Sequence, residues 1–410
     1  MRERPLRVVL ATRVFSPEGN AAAFRLRALV RALIARSATV TAITTIPAPA
    51  FRRERDDSGA RTSRWPVLRD PGGNVRGYLP YLSFDLPLAA RLLCRAYDVI
   101  VAEPPPTTGL VVAVVARVRR VPFVYYAADV VSDGAAAIGS PRLVVSLVRM
   151  VERAVLRRAA AVLSVAPEVS RRVVALGARP DAVHTVGHGI DTEIFRADVT
   201  PHDPGYRYFV YAGTMSEVHS PQVFVRAFAR ISQMQPDVRL VFFGQGVYEK
   251  DIRELGRRLV PGRVVMGGML TPEVTAGWLR GAVGALVSLT PGIGYDFAHP
   301  TKAYAAAACG TPILFSGPDD FGSIVARSGL GIAVGHDEVA VADAMLRLLD
   351  DHESGASTAA REQRARWADE NASLRRVGAE AAEAVIAAAR GSQHHAVRLT
   401  GVGGTGEEPT

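Results

Sequence analysis

Lysine is nearly absent from this chain. Of its 49 lysine and arginine residues, only Lys250 and Lys302 are lysines. So uniform an arginine bias follows genomic base composition and has no functional meaning, but it makes either lysine an exception. Cysteine is equally scarce. Cys94 and Cys309 are too few for a disulfide framework. Long apolar runs are missing too. The longest, Gly109 to Ala116, falls far short of the roughly 18 residues a membrane-spanning helix needs. The opening Met1-Arg-Glu-Arg-Pro-Leu-Arg7 leads straight into a strand-like run with no signal-peptide core, so a cytoplasmic chain is expected. No basic run is interleaved with aromatics, and the net charge of +9 therefore does not point to nucleic acid. An anionic substrate or an anionic membrane surface is left.

What is present is a chain of 410 residues, 48% hydrophobic and 22% charged, which excludes a disordered polymer and predicts two domains. Residues 6–11 read as a buried strand. A loop with Pro17, Gly19 and Asn20 follows, then an amphipathic helix over 21–36 and a strand over 38–45. The alternation recurs with strands at 98–102, 123–127 and 161–165 and helices at 107–117 and 141–158. Residues 51–74 read as a surface loop, and the turn formers at 198–205 as a linker. Beyond them the pattern restarts, with strands at 208–212, 238–243, 263–266, 285–289, 312–315 and 331–334. The expected fold is α/β, with two Rossmann-like doubly wound parallel-sheet domains facing a cleft, over 1–197 and 206–370. A C-terminal helix over 371–390 is expected to pack back toward the first domain, and 391–410 to form a disordered tail.

Two loops carry anion chemistry. Gly19 with Asn20 opens onto a helix start, where free N–H groups approach a phosphate closely. In Tyr295-Asp-Phe-Ala-His-Pro-Thr-Lys302, Pro300 suits a first helical position and His299 a cap. That leaves the amides of Thr301, Lys302 and Ala303 to an anion, with the Lys302 charge beside them. Asp129 and Asp133 follow the strand at 123–127. A carboxylate there can orient an acceptor hydroxyl or take its proton, or merely cap the next helix. Glu103, before three prolines, is a similar residue.

In order along the chain, several segments resemble the retaining, nucleotide-sugar-dependent glycosyltransferases of family 4, GT-B fold, in the bacterial branch building surface polysaccharides and glycolipids. They are Phe15-Ser-Pro-Glu-Gly19, Tyr97-Asp-Val-Ile-Val-Ala-Glu-Pro-Pro-Pro106, Val121-Pro-Phe-Val-Tyr-Tyr-Ala-Ala-Asp129, Val186-Gly-His-Gly-Ile-Asp191, Tyr211-Ala-Gly-Thr214, Phe243-Gly-Gln-Gly246 and His299-Pro-Thr-Lys302 with Gly310-Thr-Pro312. The resemblance implies a nucleotide-sugar donor held by Gly19, Asn20, Gly213, Thr214, Gly244, Gly246, Asp296, His299, Thr301, Lys302, Ala303 and Tyr304. It implies a glycan or lipid-linked acceptor near Asp129 and Asp133, and neither metal nor other cofactor.

The chain departs from the family twice. The family pairs two glutamates across the Lys302 loop; Phe297 and Ala305 stand at those positions, with Asp296 and Tyr304 as neighbours. The loop after Gly213, where relatives carry cations, reads Thr214-Met-Ser-Glu-Val-His219, so Arg25 and a protonated His219 are the other cations to consider. These losses motivate a second expectation, a catalytically impaired relative serving as a partner or scaffold. Sugar 2-epimerases share the architecture, but need more acids and histidines than are found here. Arg142, Arg149, Arg153 and Arg157 share one stripe of the 141–158 helix, which fits peripheral contact with an anionic membrane, at the inner face of the cell membrane, as well as a solvated face.

Overall fold

The computed structural model of the protein describes residues 4–18, 21–53, 55–70, 75, 77–137 and 139–400. Contacts divide it into two units, the first 1–187 with 375–410 and the second 188–374. The first unit contains β1 (Arg7–Ala11), β2 (Thr39–Thr45), β3 (Arg61–Trp65), β4 (Val99–Ala102), β5 (Phe123–Ala127), β6 (Ala161–Ser164) and β7 (Val183–Thr185). The second contains β8 (Arg207–Ala212), β9 (Val238–Phe243), β10 (Val264–Gly268), β11 (Gly284–Ser288), β12 (Ile313–Ser316) and β13 (Gly331–Val334). Helices α1 (Ala21–Ala35), α2 (Tyr78–Leu93), α3 (Pro106–Arg119), α4 (Val131–Ala137), α5 (Arg142–Leu156) and α6 (Pro167–Ala175) belong to the first unit. The second holds α7 (Gln222–Ile231), α8 (Glu249–Leu259), α9 (Pro272–Gly281), α10 (Thr301–Ala308), α11 (Asp319–Arg327), α12 (Glu338–Glu353), α13 (Ala356–Ala359) and α14 (Arg361–Ala372). Helix α15 (Leu374–Thr400) closes the described chain.

Both sheets are parallel and doubly wound, in the orders β3-β2-β1-β4-β5-β6-β7 and β10-β9-β8-β11-β12-β13. Each order reverses direction once, between β1 and β4 and between β8 and β11. Ligands of such sheets bind beyond the carboxyl ends of the strands at that switch. The strands are short apolar runs because both faces are covered by helices. In β8, Tyr208 and Val210 enter one hydrophobic cluster, Phe209 and Tyr211 the other.

Three features differ from the sequence reading. β3 lies inside the expected surface loop. It is a half-exposed edge strand, register Thr41 to Arg61, and its arginines hide the β pattern. The stretch 198–205 is packed rather than free. The His202 amide donates to the Gly277 carbonyl at 2.9 Å, and Phe195 sits in the second unit's core, so the division falls earlier, at Gly187/His188. α15 is continuous through Thr400, past Gly391 where the sequence reading begins a tail. Its Val377, Ala381, Ala382 and Val385 enter the first unit's core beside Leu26 and Leu29.

Candidate functional site

The second unit contains a cavity of about 580 Å³ at the β8–β11 switch, within the range of small-molecule sites. β8 ends in Ala212-Gly213 and β9 in Phe243-Gly244, and the two loops run backbone against backbone. The Gly213 amide donates to the Phe243 carbonyl at 2.9 Å, and the Met215 amide to Gln245 at 3.1 Å. This approach needs glycine. A Cβ at Gly244, whose φ is +119°, would lie 2.1 Å from the Gly213 carbonyl oxygen, and one at Gly246 2.1 Å from that of Met215. At Gly213 a Cβ would lie 2.9 Å from Lys302 Cε, so the bare backbone leaves the lysine its place.

Lys302 enters the cavity from the first turn of α10. Its Nζ donates to Tyr211 Oη at 2.7 Å, and Tyr211 Oη donates to the Thr214 carbonyl at 2.6 Å. Burial pushes the Lys302 ammonium down to about 7. An anion beside it would raise that value again. Burial and then the Lys302 charge push His219 down to about 3. His219 is therefore neutral, its Nδ1 2.9 Å from Ser216 Oγ, and is not the cation the sequence allowed for. Among the described residues no carboxylate lines the cavity. Glu217 is exposed outside it.

The expected donor residues distribute unevenly. Gly213, Thr214, His299, Thr301 and Lys302 line the cavity. Gly244 and Gly246 shape it from behind. Asp296 instead accepts from the Gly292 amide at 2.8 Å, holding its own loop. The N-cap of α10 is Pro300, not His299, and no side chain caps the helix. His299 turns its Nδ1 to Tyr304 Oη at 2.9 Å, so the hydroxyl next in sequence to the missing glutamate already has a partner. The Ala303 amide already donates to the Pro300 carbonyl at 2.9 Å and has no free hydrogen bond for a ligand. Ala305 lines the cavity as a plain methyl, and Phe297 stacks on Tyr295 at 6.5 Å. Gly19 and Asn20 lie outside the described residues.

In the first unit the β1–β4 switch is filled by a buried polar group. Thr12 Oγ1 donates to Glu103 Oε2 at 2.7 Å, and Arg25 pairs with Glu103 Oε1 at 3.0 Å with both side chains 8% exposed. Arg25 also lies 4.9 Å from the Tyr126 ring centroid. It is thus committed to Glu103 and is no phosphate cation. Burial raises the Glu103 carboxyl, opposed first by Arg25. Asp129 follows β5 with its side chain exposed. Packing around its carboxyl still raises its pKa, against the pull of Arg25. It does not cap α4. That role falls to Glu152 of α5, 2% exposed, which accepts from the Val131 and Ser132 amides at 2.9 and 3.3 Å. Glu152 was missed in the sequence, although it is the lone acid on α5. Asp133 is bound by Arg172 at 3.0 Å and Arg149 at 3.5 Å, an arrangement that ties helices together. Among the described residues no three His, Cys, Asp or Glu side chains gather for a metal ion, and no helix is long and apolar enough to cross a membrane.

Comparison with known proteins agrees with this geometry. Residues 20–189 match the glycosyl transferase 4-like domain, and residues 206–351 the glycosyl transferases group 1 family. The D-inositol 3-phosphate glycosyltransferase of Pseudarthrobacter chlorophenolicus is 29% identical over 49% of this chain, and the match spans 50% of that relative's own length. HepE of Anabaena, solved in complex with UDP-glucose, superposes with a TM-score of 0.66 at 14% identity, covering 93% of this chain and all of that one. WaaG, a glycosyltransferase of lipopolysaccharide biosynthesis, gives 0.68 at 14% identity, covering 92% and 99%. Its two domains thus match two glycosyltransferase family models, and its fold is that of the GT-B glycosyltransferases.

Proposed function

We propose that the protein transfers a sugar from a nucleotide-diphosphate donor to a hydroxyl acceptor, a glycan or a lipid-linked sugar, with retention of configuration and without a metal. The observation that carries this reading is the Lys302 ammonium beside the uncapped start of α10, in an apolar-walled cavity free of carboxylates. A positive charge and a helix N-terminus together suit a leaving diphosphate, whose charge grows as the bond to the sugar breaks. The acceptor oxygen forms the new bond to the anomeric carbon, and Asp129, the less committed of the two aspartates, is assigned to its proton. The reaction is assigned to the cytoplasmic face of an anionic membrane. Along α5, Arg142, Arg149 and Arg153 alternate with Leu143, 82% exposed, and with Leu147 and Met150.

A second reading is favoured by Ala305, a methyl group lining the cavity where the family carries a carboxylate. On it the chain binds the nucleotide weakly or not at all and acts as partner of an active enzyme. The experiment is nucleotide release from UDP-, GDP-, ADP- and dTDP-sugars with lipid-linked acceptors. The first reading predicts acceptor-dependent release that falls at least tenfold in kcat in Asp129→Asn, with donor affinity kept. No release from any pair, by folded protein that binds none of the four nucleotides at millimolar concentration, favours the second.

A further inference from the structure

At the opposite pole of the second unit, before the amino ends of β11 and β12, lies a separate cavity of about 170 Å³. Its lining includes Arg280, Thr311, His352, Ser357 and Arg361, and among the described residues no carboxylate. Arg280 lies in the last turn of α9, Arg361 begins α14, and the buried Arg364 follows one turn on. Each guanidinium has only neutral oxygen partners. Arg280 Nε donates to the Ala197 carbonyl at 2.7 Å, and Arg361 reaches Thr358 Oγ1 at 3.4 Å. Arg364 Nε donates to the Gly310 carbonyl at 2.9 Å, and its terminal nitrogen to Ser357. Among the described residues none of the three forms an ion pair. They repel one another instead. Burial lowers Arg361 first and Arg280 lowers it further, while burial and then Arg361 lower Arg364, with Asp351 opposing. The other nearby acid, Glu353, is taken by Arg207.

Arg280 and Arg361, which line the cavity, are half-buried, and Arg364 behind them is buried. Cationic side chains even partly withdrawn from water without a counter-charge are costly, and two guanidinium forks in one cavity match the geometry of a tetrahedral oxyanion. We propose that this cavity binds a phosphate group, separately from the Lys302 cavity. Its size admits one such group and excludes a nucleotide. The group belongs either to a soluble phosphate or phosphorylated metabolite, or to a lipid headgroup.

The test is calorimetric titration of the full chain with inorganic phosphate, beside Arg361→Gln, Arg280→Gln and Lys302→Ala. The expected result is saturable binding that survives Lys302→Ala and weakens at least tenfold in either arginine variant. A phosphate-dependent rise in melting temperature, present in the parent and lost in Arg361→Gln, reads the same site if one variant folds poorly. Sedimentation with phosphatidylglycerol vesicles separates the sources. Vesicle retention that Arg361→Gln abolishes identifies a headgroup, and phosphate binding without it identifies a soluble ligand. The proposal is overturned by phosphate binding that both arginine variants keep, or by no saturable binding of phosphate or vesicles at millimolar phosphate.

Discussion

Single positions in this protein show how burial decides what a charge can do. Arg25 and Glu103 were both open to functional readings in the sequence, and both are spent on each other. Removing one partner of a buried pair strands the other charge, which costs about 3–5 kcal/mol, whereas replacing both with apolar residues costs far less. Arg25→Met is therefore expected to destabilise the first unit by about that amount, and Arg25→Met/Glu103→Leu by clearly less, in urea unfolding. Equal losses would mean the pair is not coupled. Lys302 is the opposite case. Its partner in the structure is a neutral hydroxyl, Tyr211 Oη, so its charge is left uncompensated. A lone lysine among arginines was a visible hint, but neither its low pKa nor its hydroxyl partner follows from composition. Glu152 was illegible for a related reason. An acid in an arginine stripe looks solvated until the fold turns that side of α5 onto the start of α4.

The central strands were legible because apolar runs bounded by turn formers leave few alternatives. β5 and β9 fall on the residues the pattern named, as does the apolar edge strand β13. Polar edges and interrupted helices were not legible. β3 faces solvent with arginines, and α2 carries Pro87 inside it, which masks a helical period. The glycine loops after β8 and β9 were found as motifs, but not the reason for them, which is backbone packed on backbone. That reason makes a prediction. Gly244→Ala would put a Cβ 2.1 Å from a carbonyl oxygen at a φ of +119°, so both sterics and backbone strain oppose it. A loss of about 2 kcal/mol or more is expected in denaturant melts. A neutral Gly244→Ala would show that the loops move apart without cost.

At the scale of the whole molecule, the chain leaves the first unit near Gly187, completes the second, and returns at Arg375 to lay α15 on the first unit's core. Two glycines on α15 separate propensity from packing. Replacing a helical glycine with alanine gains about 1 kcal/mol from propensity alone. At Gly391, where a Cβ would meet nothing within 4 Å, that gain is expected in full. At Gly378 the Cβ would lie 2.6 Å from the Ala28 carbonyl oxygen, and overpacking of about 1–3 kcal/mol should outweigh it. Thermal melts of Gly378→Ala and Gly391→Ala should therefore shift in opposite directions, and a stabilised Gly378→Ala would remove α15 from this packing. The Lys302 cavity is central to the proposed activity, and calorimetric titration of the full chain with UDP, GDP, ADP and dTDP tests it most directly. The free ammonium titrates at about 7 and a bound diphosphate raises that value, so binding above neutrality must take up a proton. One nucleotide is expected to bind at micromolar concentration, with uptake of about 0.9 proton at pH 8 and little at pH 6, and with affinity at least tenfold weaker in Lys302→Ala. No binding at millimolar concentration, or equal binding by Lys302→Ala with no proton uptake, would contradict it.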